Sequence, residues 1–139
     1  MGKEQQTNLC FTFLPHVFSS MISHCMEQNP FEACGLLSGN NHIASTFWPM
    51  KNILRSPNAF QMDMDQIEIT FKQMKEKGEQ LVGIYHSHPT AAPYPSPEDV
   101  IHANYPEAVY VIVSLSQIKP EVACFRIQKG LVTQVQYTL

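Results

Sequence analysis

The chain has 139 residues, of which 44% are hydrophobic and 15% are charged, and its formal net charge is −3 at pH 7. This length predicts one domain (1–139) with its own core, and the negative charge without a Lys/Arg cluster argues against nucleic acid as a partner. No apolar run approaches a membrane span, residues 1–10 lack a signal-peptide stretch, and the cysteines form no CxxC pair, so we expect a cytoplasmic protein without a membrane partner.

The spacing of apolar residues predicts helices and strands that alternate along the chain. The predicted elements are, in order, a strand at 9–13, a helix at 15–28, strands at 32–38 and 42–48, a loop at 49–61, a helix at 65–77, a strand from 81 through the two histidines up to Pro89, a helix from Ser96, and strands at 108–115, 122–128 and 131–137. This order predicts an α/β or α+β fold, in which helices pack on a mixed sheet.

The segment from His86 to Asp99 concentrates side chains that bind metals. His86 and His88 are two residues apart at the end of a predicted strand, so both imidazoles point to one face. Pro89 then begins a proline-rich loop, and Ser96 starts a predicted helix with Asp99 in its first turn. The two imidazoles and the carboxylate can therefore converge across a short loop.

Each of these features also has a purely structural explanation. Ser96 is a good N-cap, Asp99 suits the positive end of a helix dipole, and His86 and His88 can be polar residues at a solvated strand end. The combination, however, favours a metal site. Two neutral imidazoles and one carboxylate suit zinc with water as the fourth ligand, although these ligand types alone leave iron or manganese open.

A hydrolytic metal site also needs a group that moves protons between water and the leaving amine. Glu32 is the best candidate, because it opens an apolar segment directly after Asn29-Pro30, where a charge has no packing role. The structural alternative is that Glu32 is simply the last solvated residue before a strand.

The residues quoted so far resemble a known motif. Glu32 with Ala33-Cys34-Gly35-Leu36-Leu37-Ser38-Gly39, then His86-Ser87-His88-Pro89, then Ser96-Pro97-Glu98-Asp99, resembles the JAMM motif of the MPN (Mov34/Pad1) metalloprotease family. That motif is a Glu upstream of His-Ser/Thr-His, followed by seven residues, Ser, two residues and Asp, a spacing that this chain keeps. The similarity continues through 82–85, 105–110 and 125–127, and nearly the whole chain resembles small stand-alone bacterial members.

The resemblance implies an MPN/JAB domain, a curved mixed sheet flanked by helices that is similar to the cytidine-deaminase-like fold. It implies that His86, His88 and Asp99 hold one zinc ion together with a water. Glu32 would act as general base and then as proton donor. Ser96 would hold the water or donate a hydrogen bond to the oxyanion.

The remaining polar residues near the motif are expected to be structural. Ser87 faces away from the ligands, because side chains alternate along a strand. Four other histidines match nothing in the motif and are interpreted as surface or helix-face residues: His16, His24, His42 and His102.

The reaction implied by the resemblance is hydrolysis of a peptide or isopeptide bond at the C-terminal tail of a ubiquitin-like protein. Small bacterial members resemble processing enzymes for ubiquitin-like sulfur carrier proteins, which release cysteine or other residues attached after a Gly-Gly end. We therefore expect such a carrier as the substrate.

Two alternatives from other functional classes remain. A non-catalytic MPN scaffold is disfavoured, because such modules typically lose motif residues and this chain keeps all five. A zinc deaminase is less favoured still, because the H-x-E and P-C-x-x-C patterns of that class do not occur in the sequence.

Overall fold

The computed structural model describes residues 9–139, in which seven strands and three helices follow one another. The strands are β1 (Cys10–Phe13), β2 (Cys34–Asn40), β3 (Ile43–Met50), β4 (Gln80–His88), β5 (Val109–Ser114), β6 (Glu121–Gln128) and β7 (Leu131–Thr138). The helices are α1 (Pro15–Gln28), α2 (Met64–Glu76) and α3 (Pro97–Ile101). Residues 1–8, which form most of the segment 1–10 that lacks a signal-peptide stretch, lie outside the described residues.

All seven strands belong to one sheet, in the order β1-β3-β2-β4-β5-β6-β7. The β4/β5 pair is parallel, and β1 runs parallel to both of its neighbours, β3 and β7, which closes the sheet into a barrel. The remaining pairs are antiparallel. The predicted mixed sheet with helices is confirmed, while its closure by β1 is a feature that the sequence analysis did not include.

Alternate residues of the central strands face two separate apolar clusters. Leu37 and Tyr85 pack in one cluster with residues of β1 and α1, whereas Leu36 and Ile84 pack in the other with residues of α2. His86 lies two residues beyond Ile84, so strand alternation places it on the α2 side. Both motif histidines therefore project from the face that α2 and the segment before it cover.

Local sequence signals account for the helix boundaries. Pro15 occupies the first turn of α1, and this helix has the predicted bounds. Asp63 caps α2 by accepting a hydrogen bond from the Gln66 amide, so that α2 begins one residue before the predicted start. None of the helices in residues 9–139 is long and apolar enough to cross a membrane.

One strand boundary near the motif differs from the prediction. β2 begins at Cys34 rather than at Glu32, because both backbone groups of Glu32 bond to the loop 51–63 and not to a neighbouring strand. β4 ends at His88, before the proline at which pairing was expected to stop, so both histidines lie within the strand as predicted and pair with β5.

Candidate metal centre

Three side-chain atoms that can bind a metal lie close together between the end of β4 and the start of α3. The distances between His86 Nε2, His88 Nε2 and Asp99 Oδ2 are each 3.1 Å. Among the residues that the structure describes, this is the one group of three or more His, Cys, Asp or Glu side chains with metal-binding geometry. The structure thus brings together the three ligands expected from the sequence.

The donor set fits a small divalent cation. Tetrahedral zinc with bonds of 2.0–2.1 Å keeps its ligand atoms about 3.3 Å apart, close to the observed spacing. The Nδ1–H of His88 donates to the Ala92 carbonyl at 2.8 Å, which leaves Nε2 of the neutral imidazole with a lone pair directed at the other two atoms. Two neutral imidazoles and one carboxylate, which together have a net charge of −1, are suited to a cation such as Zn²⁺.

Asp99 is oriented by the helix that it helps to start. The Asp99 amide donates to Ser96 Oγ at 3.0 Å, and the Ser96 amide donates to Asp99 Oδ2 at 2.9 Å, which completes a capping box. Oδ2 is also the atom that meets His86 and His88. The structural and metal-binding interpretations of Asp99 are therefore compatible.

Glu32 lies beside this centre and is almost completely buried. Its side chain is 4% exposed, and Oε1 has no hydrogen-bond partner among the described residues. A buried carboxyl oxygen without a partner costs free energy and calls for an explanation, such as a catalytic role or a bound ion. Glu32 is thus not the solvated strand-end residue of the structural alternative.

Burial and mutual hydrogen bonds shift the pKa values of the three clustered side chains. Although burial opposes its ionisation, hydrogen bonds from His86 and His88 keep the pKa of Asp99 well below its usual range. Burial lowers the pKa of His86. For His88, burial acts in the same direction, but hydrogen bonds to Asp99 and Ala92 raise the pKa above its usual value.

The pKa of Glu32 shifts in the direction opposite to that of Asp99. Burial raises the pKa of Glu32 to about 8, the charge of His88 opposes this rise, and the charge of Asp99 adds to it. The carboxyl group is therefore close enough to two of the three ligands to interact with them electrostatically. Its pKa lies in the range where a group accepts and returns a proton near neutral pH.

The other residues singled out in the sequence lie outside the three-ligand group. Ser87 is fully buried and accepts a hydrogen bond from the Ala33 amide at 2.8 Å. His24 pairs with the Tyr85 hydroxyl at 2.7 Å. His16, His42 and His102 are exposed, and none of the four other histidines belongs to the three-ligand group.

The sequence analysis missed two residues next to the centre. Phe60 stacks on the His86 ring, with centroids 4.7 Å apart and planes 28° apart. Asn52 is buried and donates a hydrogen bond to the Glu32 carbonyl at 3.0 Å. Both lie in the predicted loop 49–61, where no local sequence signal distinguishes them from the other amide and apolar residues of that loop.

A cavity of about 430 Å³ opens beside the ligands. His86 and Asp99 form part of its wall, and the opposite wall comes from the loop before α2 and from α2 itself, including Phe60 and Phe71. The remaining lining is mostly apolar. A substrate group next to the metal centre thus has an apolar space available.

The sequence matches a known family over most of its length. Residues 14–128 match the family described as prokaryotic homologs of the JAB domain. The chain is 36% identical over 124 residues to the CysO-cysteine peptidase of Mycobacterium tuberculosis, covering 84% of this chain and 82% of that protein. It is 32% identical over 102 residues to the desampylase of Haloferax volcanii, covering 68% and 73% of the two chains.

Solved structures show the same fold. A protein from Desulfitobacterium hafniense superposes with a TM-score of 0.84 at 31% identity, covering 93% of this chain and 92% of the other. A JAB1/MPN domain protein from Archaeoglobus fulgidus superposes with a TM-score of 0.60 at 17% identity, covering 93% and 99%, which bears on the fold alone. The resemblance drawn from the motif is confirmed: the chain belongs to the family of prokaryotic homologs of the JAB domain.

Proposed function

We propose that this chain is a zinc-dependent JAMM-type peptidase or isopeptidase that cleaves the C-terminal tail of a ubiquitin-like sulfur carrier protein in the cytoplasm. The observation that carries the proposal is the buried Glu32 carboxylate, with Oε1 unpartnered, beside three ligand atoms that lie 3.1 Å from one another. This arrangement combines a cation site with a group that can move protons.

In this proposal His86, His88 and Asp99 hold the zinc ion, and the fourth ligand is water. When bound, zinc would act as a Lewis acid that lowers the pKa of water and polarises the scissile carbonyl. Glu32 takes a proton from the attacking water and returns it to the leaving amine. No covalent bond forms between the protein and the substrate, so the reaction is a direct hydrolysis.

Ser96 contributes a hydrogen-bond donor to the reaction. Its Oγ accepts the Asp99 amide hydrogen, which leaves the hydroxyl proton free to donate to the developing oxyanion. Its backbone is fixed by the capping box, so this donor is held in place before the substrate binds. Ser96 thus caps the helix and stabilises the transition state.

The substrate class rests on the relatives. The mycobacterial relative is named a CysO-cysteine peptidase, and a relative from Thermus thermophilus, 30% identical over 98 residues, is named a probable TtuB-protein conjugate cleaving protease. These names agree with the sulfur-carrier substrate expected from the sequence. The retained ligands and Glu32 favour an enzyme over a non-catalytic scaffold.

The direct test uses carrier proteins of the same organism that bear a C-terminal cysteine or a longer extension after Gly-Gly. The zinc-loaded chain is incubated with each carrier, and the carrier mass is followed by mass spectrometry. We expect loss of the added residues, inhibition by a chelator and recovery with zinc. An unchanged mass for every carrier, with zinc bound, would contradict the proposal.

A further inference from the structure

The Asn52 side chain uses all of its hydrogen-bonding positions inside the protein. Asn52 is 7% exposed, and its Nδ2 donates to the carbonyls of Glu32 and Ala59, each at 3.0 Å. Its Oδ1 accepts from the amides of Leu54 at 3.1 Å and Gln61 at 3.2 Å. The Asn52 side chain thereby connects Glu32 to both ends of the loop segment 52–61.

The same loop also holds the other backbone group of Glu32. The Glu32 amide donates to the Ser56 carbonyl at 2.8 Å, and the next amide, that of Ala33, donates to Ser87 Oγ at 2.8 Å. The backbone of Glu32 is therefore anchored to the loop on one side and to β4 on the other. Asn52 closes the loop that carries the first of these anchors.

The loop 51–63 contacts both the Glu32 backbone and the ring of His86. Phe60 lies between Ala59 and Gln61, the two residues that Asn52 binds at the far end of the turn. The Phe60 ring stacks on His86 at 4.7 Å. Asn52 thus ties Glu32 to the aromatic wall of the centre.

We propose that Asn52 is a positioning residue, which sets the place of the Glu32 carboxylate relative to the metal ligands. This inference rests on the proposed function, in which Glu32 moves the protons. Because Glu32 Oε1 has no hydrogen-bond partner among the described residues, the position of the carboxylate depends on the Glu32 backbone and on the packing around the buried side chain. A catalytic group displaced by about 1 Å can lose about 100-fold in rate, so an anchor on its backbone affects the chemical step.

The test compares Asn52→Ser with Asn40→Ser in the zinc-loaded protein. Asn40 is a matched control, because its Nδ2 also donates to a backbone carbonyl, that of Gly78 at 3.1 Å, but on the surface and outside the centre. We expect kcat of N52S to fall about 10- to 100-fold with KM within about threefold of wild type and unchanged zinc content. N40S should behave like wild type.

A second measurement does not depend on activity. Amide hydrogen exchange of Glu32, followed by NMR in the zinc-loaded protein, should be at least about tenfold faster in N52S, while the amide of Leu36 in β2 keeps its protection. If wild type releases nothing from any carrier, the proposed function fails, but this measurement still tests the anchor.

Three results would overturn the inference: kcat of N52S within twofold of wild type, loss of zinc together with activity, or unchanged exchange at Glu32. If N52S does not fold, Asn52→Asp replaces it under the same criteria. This variant keeps the volume and the Oδ1 contacts to Leu54 and Gln61 but loses both Nδ2 donations.

Discussion

The Ala33 amide donates a hydrogen bond of 2.8 Å to the hydroxyl of Ser87, and the Ser87 amide donates to the Ala33 carbonyl at 3.0 Å. This pair of bonds ties the residue after Glu32 to the residue between the two motif histidines. The serine of the His-Ser-His segment thus links the backbone next to Glu32, the proposed proton-transfer residue, to the backbone of His86 and His88, the proposed metal ligands.

The first prediction concerns Ser87. Ser87→Ala leaves the buried Ala33 amide without its acceptor, so we expect the free energy of unfolding to fall by about 1–3 kcal/mol. Urea denaturation measures this loss. Ser19→Ala is the control, because Ser19 is exposed and bonds only within its own helix, and its effect should stay within about 0.5 kcal/mol. Equal stability of the two variants would exclude a special role for the Ser87 hydroxyl.

The second prediction concerns the Ser96 hydroxyl, which caps α3 and is the proposed oxyanion donor. Ser96→Ala removes both the N-cap and the proposed oxyanion donor. Loss of the donor should lower kcat about 100-fold. Loss of the N-cap should lower the free energy of unfolding by about 1 kcal/mol. Zinc content should not change, because Ser96 is not a ligand. Ser96→Thr keeps a hydroxyl and should retain most of the activity. Steady-state kinetics of both variants, together with metal analysis, provide the measurement, and similar kcat values for S96A and S96T would refute the oxyanion role.

The third prediction follows from the raised pKa of Glu32. Burial raises this pKa to about 8 in the folded, metal-free protein, whereas an unfolded Glu has a pKa of about 4.3. The folded state therefore holds the proton more tightly, and the stability gained below the unfolded pKa is lost as the pH rises through about 8.

Glu32→Gln removes this titration, and other groups titrate similarly in both proteins. In chelator, E32Q should match wild type below about pH 4, become increasingly more stable than wild type between about pH 4 and pH 8, and keep a constant advantage above that. Urea denaturation across this range measures the difference between the two proteins. A difference that does not change with pH would show that Glu32 is not buried in the way described.

The sequence predicted best what depends on neighbouring residues. Pro15 marks the start of α1, and Ser96 with Pro97 marks the start of α3, because capping and the fixed φ of proline act within one helical turn. The convergence of His86, His88 and Asp99 followed from strand alternation and a loop of short length. These features required no knowledge of distant contacts.

The features that the sequence did not predict depend on distant partners. Closure of the barrel by β1 requires parallel pairing with both β3 and β7, which lie far apart along the chain. Glu32 precedes β2 because Asn52 and Ser56 bind its backbone, and neither residue carries a local signal for that contact. Apolar periodicity alone placed Glu32 at the start of the strand.

The central claim is that Glu32 moves protons at a metal centre that it does not itself form. The most direct measurement is turnover of a carrier with a C-terminal extension by Glu32→Gln, together with its zinc content, with the exposed Glu27→Gln as control. We predict one zinc per chain in both variants, a kcat that is about 10²- to 10⁴-fold lower in E32Q, and wild-type kcat in E27Q. Wild-type turnover by zinc-loaded E32Q, or loss of zinc in that variant, would contradict the account.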